Sequence, residues 1–229
     1  MHPSRDVALI PAFPLIADGR LISTAFLCGN HRGRAYIATT LHQIGRAKQY
    51  SLAIPSNEGN VAAPQVYPVD GVPTIPLELC TCDPAVDLAV FRTAVPQPVP
   101  VQVPEALPRG LSVGIGEPVF VVGYPFCPIG SLLQTLSVSH VSAFGRRVIG
   151  GIPLVNEYII QLHSHTGMSG SPVVRKDDGS LFAIVRGCLS PPSMMSFGDL
   201  PVGSDSSIAY CVSTEHLWPL LDFAKAIPE

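Results

Sequence analysis

The chain has 229 residues, of which 47% are hydrophobic and 14% charged, with 24 prolines, 20 glycines and a formal net charge of -3. That length can bury one large core or two modest ones without help from disulfides. The apolar, turn-rich composition excludes a disordered chain, and scattered arginines with no basic run exclude the electrostatic footprint of a nucleic-acid binder.

The start, "MHPSRDVALIPAFPLIADGRL", has no basic segment followed by a long apolar core and a small-residue cleavage site. No apolar run approaches the roughly 20 residues that a membrane-spanning helix needs. The sequence therefore predicts a soluble, cytoplasmic protein with no membrane partner. "VALIPAFPLI" and "LISTAFLCG" flank the turn-forming "ADGR", and "GNHRG" separates "STAFLC" from "AYIATT", a succession of antiparallel hairpins. Further strands are expected at "QYSLAIP", "DLAVFRTAV", "PVFVVGYP", "QTLSVSHVSAFG", "EYIIQLH", "SPVVRK", "LFAIVRG" and "SIAYCVS". This is the pattern of an all-β sandwich or barrel system.

The Pro-rich segment 94–110 cannot donate regularly to a sheet ladder, so it reads as an extended crossing between two strand-rich halves. The one predicted helix is "STEHLWPLLDFAKAI", about 214–227, with Ser213 or Thr214 as cap, Glu215 at the positive end of the dipole and Leu217, Leu220, Leu221 and Ala224 on one face. Pro219 weakens its first turns. The six cysteines, Cys28, Cys80, Cys82, Cys127, Cys188 and Cys211, read as buried free thiols. Cys80 and Cys82 lie in or beside a strand, and no second pair stands at zinc-site spacing, so no metal is expected.

"SHTGMSGSPVV", Ser164 to Val174, concentrates small residues ahead of an apolar run. Alone it could be a tight turn. A serine raised for chemistry would need a base to take its proton and a carboxylate to orient that base. His42 in "YIATTLHQIG" follows a strand-like run, and Asp87 in "CDPAVDLAVFRT" opens an alternating strand, whereas Asp83 before Pro84 has the character of a turn residue. In isolation either His42 or Asp87 could be structural. Unrelated serine hydrolase folds place the same trio in different chain orders. The nucleophile elbow of an α/β-hydrolase would be G-x-S-x-G, but Ser171 stands two after Ser169, and only His216 follows the serine.

Together "TTLH", "DLAVF" and "GMSGSP" resemble the three catalytic blocks of trypsin-like serine peptidases of the chymotrypsin fold, nearest to bacterial HtrA-type domains and glutamyl endopeptidases. "GEPVFVVGYPF", "VSAFGR" and "GSLFAIVRG" extend the resemblance over about residues 7–222. It implies a single peptidase domain over 1–229, built of two antiparallel six-stranded β-barrels at about 7–95 and 111–212 with a short C-terminal helix. It implies His42 as base, Asp87 as its orienter, Ser169 as nucleophile and the N–H groups of Gly167 and Ser169 as oxyanion hole, with no cofactor and a polypeptide as substrate. The substrate pocket would be lined by His163, Ser164, Thr166, Val185, Arg186 and Gly187. His163 and Arg186 would suit an acidic side chain, yet Val185 stands where glutamyl endopeptidases place a histidine. His163 and His165 have the spacing of strand neighbours on one face, which makes a metal pair conceivable. Met168 replaces the aspartate of trypsin-like zymogens, Gln43 replaces the disulfide cysteine of secreted trypsins, and Ser171 replaces the commoner glycine. The competing reading is a protease-like binding or regulatory module with turnover lost or partner-activated; an esterase would differ only in its leaving group.

Overall fold

Short, largely buried apolar strands, with hairpin turns at the expected places, build two barrels in the computed structural model, which describes residues 10–66, 71–96, 113–189, 196–197, 200–201 and 207–226. The first contains β1 (Ala12–Ala17), β2 (Arg20–His31), β3 (Arg34–Thr40), β4 (Tyr50–Ala53), β5 (Thr74–Asp83) and β6 (Leu88–Thr93), closed in the order β1-β2-β3-β6-β5-β4. Its first turn takes positive φ at both Asp18 and Gly19, the twist that suits a two-residue hairpin. Phe13, Leu15, Leu27, Ile37, Leu52 and Phe91 fill the interior. A single helical turn, α1 (Leu41–Ile44), follows β3.

The second barrel contains β7 (Pro118–Gly123), β8 (Thr135–Ile149), β9 (Ile152–Gln161), β10 (Pro172–Arg175) and β11 (Leu181–Cys188). A separate two-stranded pair, β12 (Ser196–Phe197) and β13 (Leu200–Pro201), precedes the last strand, β14 (Ile208–Ser213). The closure order is β10-β11-β14-β9-β8-β7. Val121, Val141, Ile160, Val173, Phe182 and Val185 pack its interior. The helix α2 (Leu217–Ala226) buries Leu217, Trp218, Leu221 and Ala224, and packs on β5 and β6 of the first barrel.

The barrels are joined by buried polar contacts as well as apolar ones. Asn57 Nδ2 donates to Gln134 Oε1 at 2.6 Å, and Gln134 Nε2 donates in turn to the Ala12 and Gly59 carbonyls. Both amides are almost fully buried, so each removed from water finds its partners across the interface.

The two six-stranded barrels and the C-terminal helix agree with the expected architecture, and several details differ. Beyond the placing of Cys80 and Cys82 in or beside a strand, β5 had no strand run of its own among those expected, because Pro76 interrupts it and its exposed and buried positions alternate cleanly only over Thr74–Leu77. Cys80 and Cys82 both lie on that strand, as expected. The helix is entered through a 3-10 turn, Thr214–His216, and Ser213 makes no side-chain cap. Thr214 Oγ1 instead donates to the Leu181 carbonyl, tying the turn to β11. Pro219 is tolerated because it is the third residue of α2, where an amide N–H has no intrahelical acceptor. Of the Pro-rich crossing, only residues 94–96 fall within the described part.

All six cysteines are free, but only Cys28, Cys127 and Cys211 are buried; Cys80 and Cys188 are half-buried and Cys82 is exposed. Burial strips hydration from the thiolate, which pushes the Cys28 and Cys127 thiols up to about 12 and Cys211 higher still. An unfolded chain ionises these groups near the ordinary value of 9.0. Their contribution to stability is therefore complete below about pH 9 and is lost as pH rises toward 12. Melting temperatures measured by circular dichroism should fall over that interval, and fall less steeply in the triple variant Cys28→Ala, Cys127→Ala, Cys211→Ala. Equal slopes would show that other groups carry the alkaline loss.

Candidate active site

β3 runs buried to Thr40, and the chain then turns into α1, so His42 leaves the barrel end with its side chain 42% exposed. The loop between β5 and β6 supplies the acid. Asp83 Oδ1 accepts the Ala85 N–H at 2.8 Å, an Asx turn, and the Asp83 carbonyl accepts the Asp87 N–H at 2.9 Å. That turn holds Asp87 at φ 65°, a left-handed conformation that short polar side chains tolerate better than others. The Asp87 carboxylate is thereby aimed at α1. Its Oδ1 accepts the His42 N–H at 2.8 Å and its Oδ2 accepts from His42 Nδ1 at 2.7 Å. The Asp87 carbonyl also accepts the Leu41 N–H at 3.1 Å.

The two acids of this loop differ in their partners. Asp83 spends its carboxylate on its own turn, whereas Asp87 holds the imidazole at main chain and ring. An ionised carboxylate can only accept, so Nδ1 carries the proton and Nε2 presents its lone pair. The amide Nε2 of Gln43 lies 2.8 Å from His42 Nε2 and donates to it.

The serine turn is assembled on the first barrel. Thr24 N–H donates to the Ser169 carbonyl at 3.1 Å, and Thr24 Oγ1 donates to the Gly167 carbonyl at 2.8 Å while accepting the Tyr124 N–H at 3.0 Å. Within the second barrel, Gly170 N–H donates to the Val185 carbonyl and Val185 N–H to the Ser171 carbonyl. The crowding explains the small residues. Gly167 has φ 98°, and a Cβ there would lie 2.4 Å from the Tyr124 carbonyl oxygen; Gly170 has φ 86°, and a Cβ would lie 2.0 Å from the Thr24 oxygen. Met168 is buried beneath the turn. Among the described residues, neither the Gly167 N–H nor the Ser169 N–H has an acceptor. Ser169 is half-buried, and its Oγ donates to the Arg186 carbonyl at 3.1 Å. The described hydrogen bonds of Ser169 and His42 therefore do not join these two side chains.

The six residues expected to line a pocket are divided. Ser164 and Val185 are buried, Val185 inside the second barrel, while His163 and Thr166 are exposed. Arg186 and Gly187 are half-buried at a bulge where β11 shifts register against β14. Arg186 Nε donates to Glu157 Oε1 at 3.1 Å, and its guanidinium lies over the Tyr210 ring. β9 ends at Gln161, so His163 and His165 are loop residues rather than neighbours on a strand. They turn to different partners: His163 to the Ser207 hydroxyl, and His165 to the Phe126 ring at 4.6 Å between centroids. Thr24, Arg147 and Glu157 were not singled out from the sequence, where none stands in a motif that marks it; Gln43 was noted only as the residue after His42, with no contact expected of it.

The family described as the trypsin-like peptidase domain matches residues 23–184. Among solved structures, the chain is similar to the HtrA-type protease AlgW with tripeptide, at 19% identity and TM-score 0.64, covering 96% of this chain and 62% of that one. It is similar to the active form of the Rv3671c protease from M. tuberculosis, at 17% identity and TM-score 0.64, covering 96% and 84%. It is also similar to the MamO protease domain from Magnetospirillum magneticum, at 14% identity and TM-score 0.60, covering 93% and 96%. At these identities the likeness is one of fold. No curated protein matches the sequence.

Proposed function

The chain belongs to the trypsin-like peptidase family, and on that premise we propose that it is a serine endopeptidase acting through His42, Asp87 and Ser169. The observation that carries this reading is the grip of Asp87 on His42 at Oδ1 and Oδ2, because it leaves Nε2 as the basic ring nitrogen. Ser169 Oγ attacks the carbonyl carbon of a peptide bond as His42 Nε2 takes its proton. The developing oxyanion is received by the N–H groups of Gly167 and Ser169, which have no acceptor among the described residues. His42 then protonates the leaving amine, giving an acyl-enzyme, and water repeats the sequence to release the acid and restore the serine. No cofactor takes part. With Arg186 turned to Glu157 and Tyr210, a small or aliphatic side chain suits the pocket better than an acidic one.

To react, Ser169 Oγ must rotate away from the Arg186 carbonyl, and the Gln43 amide must leave His42 Nε2. A side-chain rotation of this kind is fast. The same two contacts favour a second reading, in which a partner or substrate assembles the site by shifting this equilibrium. A fluorophosphonate probe separates the possibilities. The active reading expects labelling of wild type and none of Ser169→Ala. A folded wild type that stays unlabelled would sink it, and labelling that begins only when a peptide is added would favour the second.

A further inference from the structure

We propose that Arg147, Glu157 and Arg186 form a positioning network that holds the acid-bearing loop of the first barrel and the serine turn of the second in register. The proposal rests on the reading of His42, Asp87 and Ser169 given above. Glu157, on β9, has a side chain only 8% exposed, and Oε1 accepts from Arg147 Nε at 2.8 Å and from Arg186 Nε at 3.1 Å. The three side chains form a row across the second barrel, from β11 over Tyr210 of β14 to β9 and β8. A carboxylate buried this far must be paired, and the two guanidiniums do it.

Both ends of the row meet the candidate site. Arg147 Nη2 reaches across to the first barrel and donates to the Ala85 carbonyl at 2.9 Å, two residues before Asp87 in the turn that aims its carboxylate. At the other end, the main-chain carbonyl of Arg186 accepts from Ser169 Oγ. That carbonyl lies at the bulge of β11, where ladder pairing does not fix it, so the side-chain anchor on Glu157 contributes to its direction. Buried ion pairs are poor stabilisers against apolar alternatives, so a row ending on these two loops is better explained by placement than by stability. Misplacing reacting groups by about 1 Å can cost about 10²-fold in rate.

Arg147→Lys is the decisive variant. A lysine retains a cation for Glu157, but its single nitrogen cannot hold Glu157 and the Ala85 carbonyl as the planar fork does. Two readouts apply: the maximal rate and half-saturating concentration of fluorophosphonate labelling, and hydrogen exchange at the amides of His42 and Asp87. The network predicts about tenfold slower maximal labelling with unchanged half-saturation, and faster exchange at both amides, at a melting temperature close to wild type. Arg147→Met should slow labelling alike, with Arg186 still pairing Glu157. Wild-type labelling rate and wild-type exchange in Arg147→Lys would overturn the proposal. Should wild type itself resist the probe, the peptidase reading fails separately, and unchanged exchange still overturns the network.

Discussion

Asp87→Asn lowers the turnover of a peptide substrate by about 10⁴-fold while leaving the protein folded. Oδ1 of Asp87 accepts a main-chain N–H and Oδ2 accepts the ring Nδ1–H, so both oxygens act as acceptors. An asparagine has one acceptor. Placed with its oxygen toward the His42 N–H, it turns its amide toward Nδ1, which must then give up its proton. The proton moves to Nε2, and the ring can no longer take one from Ser169. The charge that steadies the imidazolium is lost as well. The measurement is hydrolysis of a fluorogenic peptide, with melting temperature as the control for folding. Asp83→Asn is the matched comparison, since its carboxylate accepts from Ala85 N–H within its own turn and touches neither His42 nor Ser169. A large loss in Asp83→Asn with a small one in Asp87→Asn would reverse the assignment of the acid.

Gly167→Ala is expected to reduce turnover by about 10²–10³-fold, the loss associated with one oxyanion-hole donor. The substitution leaves the N–H in place chemically and removes it geometrically. At φ 98° a side chain is strained, and its Cβ would stand 2.4 Å from the Tyr124 carbonyl and 3.0 Å from Cys127 Sγ. Neither the backbone oxygen nor the buried sulfur can retreat easily, so the Gly167 peptide must move and its N–H turns from the developing charge. Gly145→Ala serves as the control, because nothing lies within 4 Å of a Cβ there and its φ is ordinary. Fluorophosphonate labelling rates report the effect without a known substrate. A folded Gly167→Ala protein that labels as fast as wild type would mean that the oxyanion is received elsewhere.

Much of the fold was legible because it is written locally. β1, β2 and β3 follow from short apolar runs separated by Asp18-Gly19 and Arg32-Gly33, signals that reside within a few residues of where they act. β5 was legible only around Cys80 and Cys82, because Pro76 and a broken alternation hide a strand whose partners, β4 and β6, supply its pairing. His42 and Ser169 were legible as residue types in context, and Asp87 less so, since Asp83 stood four residues away.

The sequence by itself determined an all-β chain in two halves, a set of candidate groups in a particular order, and a turn too small-residued to be ordinary. Tertiary structure alone decided which acid meets the imidazole, that Thr24 anchors the serine turn from 143 positions away, and that Glu157 joins two arginines to opposite sides of the site. Hydrophobic periodicity and turn chemistry depend on neighbours in the chain, and can be read there. Hydrogen bonds between distant segments exist only after both barrels have closed, because closure brings their donors and acceptors within 3 Å, and no local pattern encodes the partner.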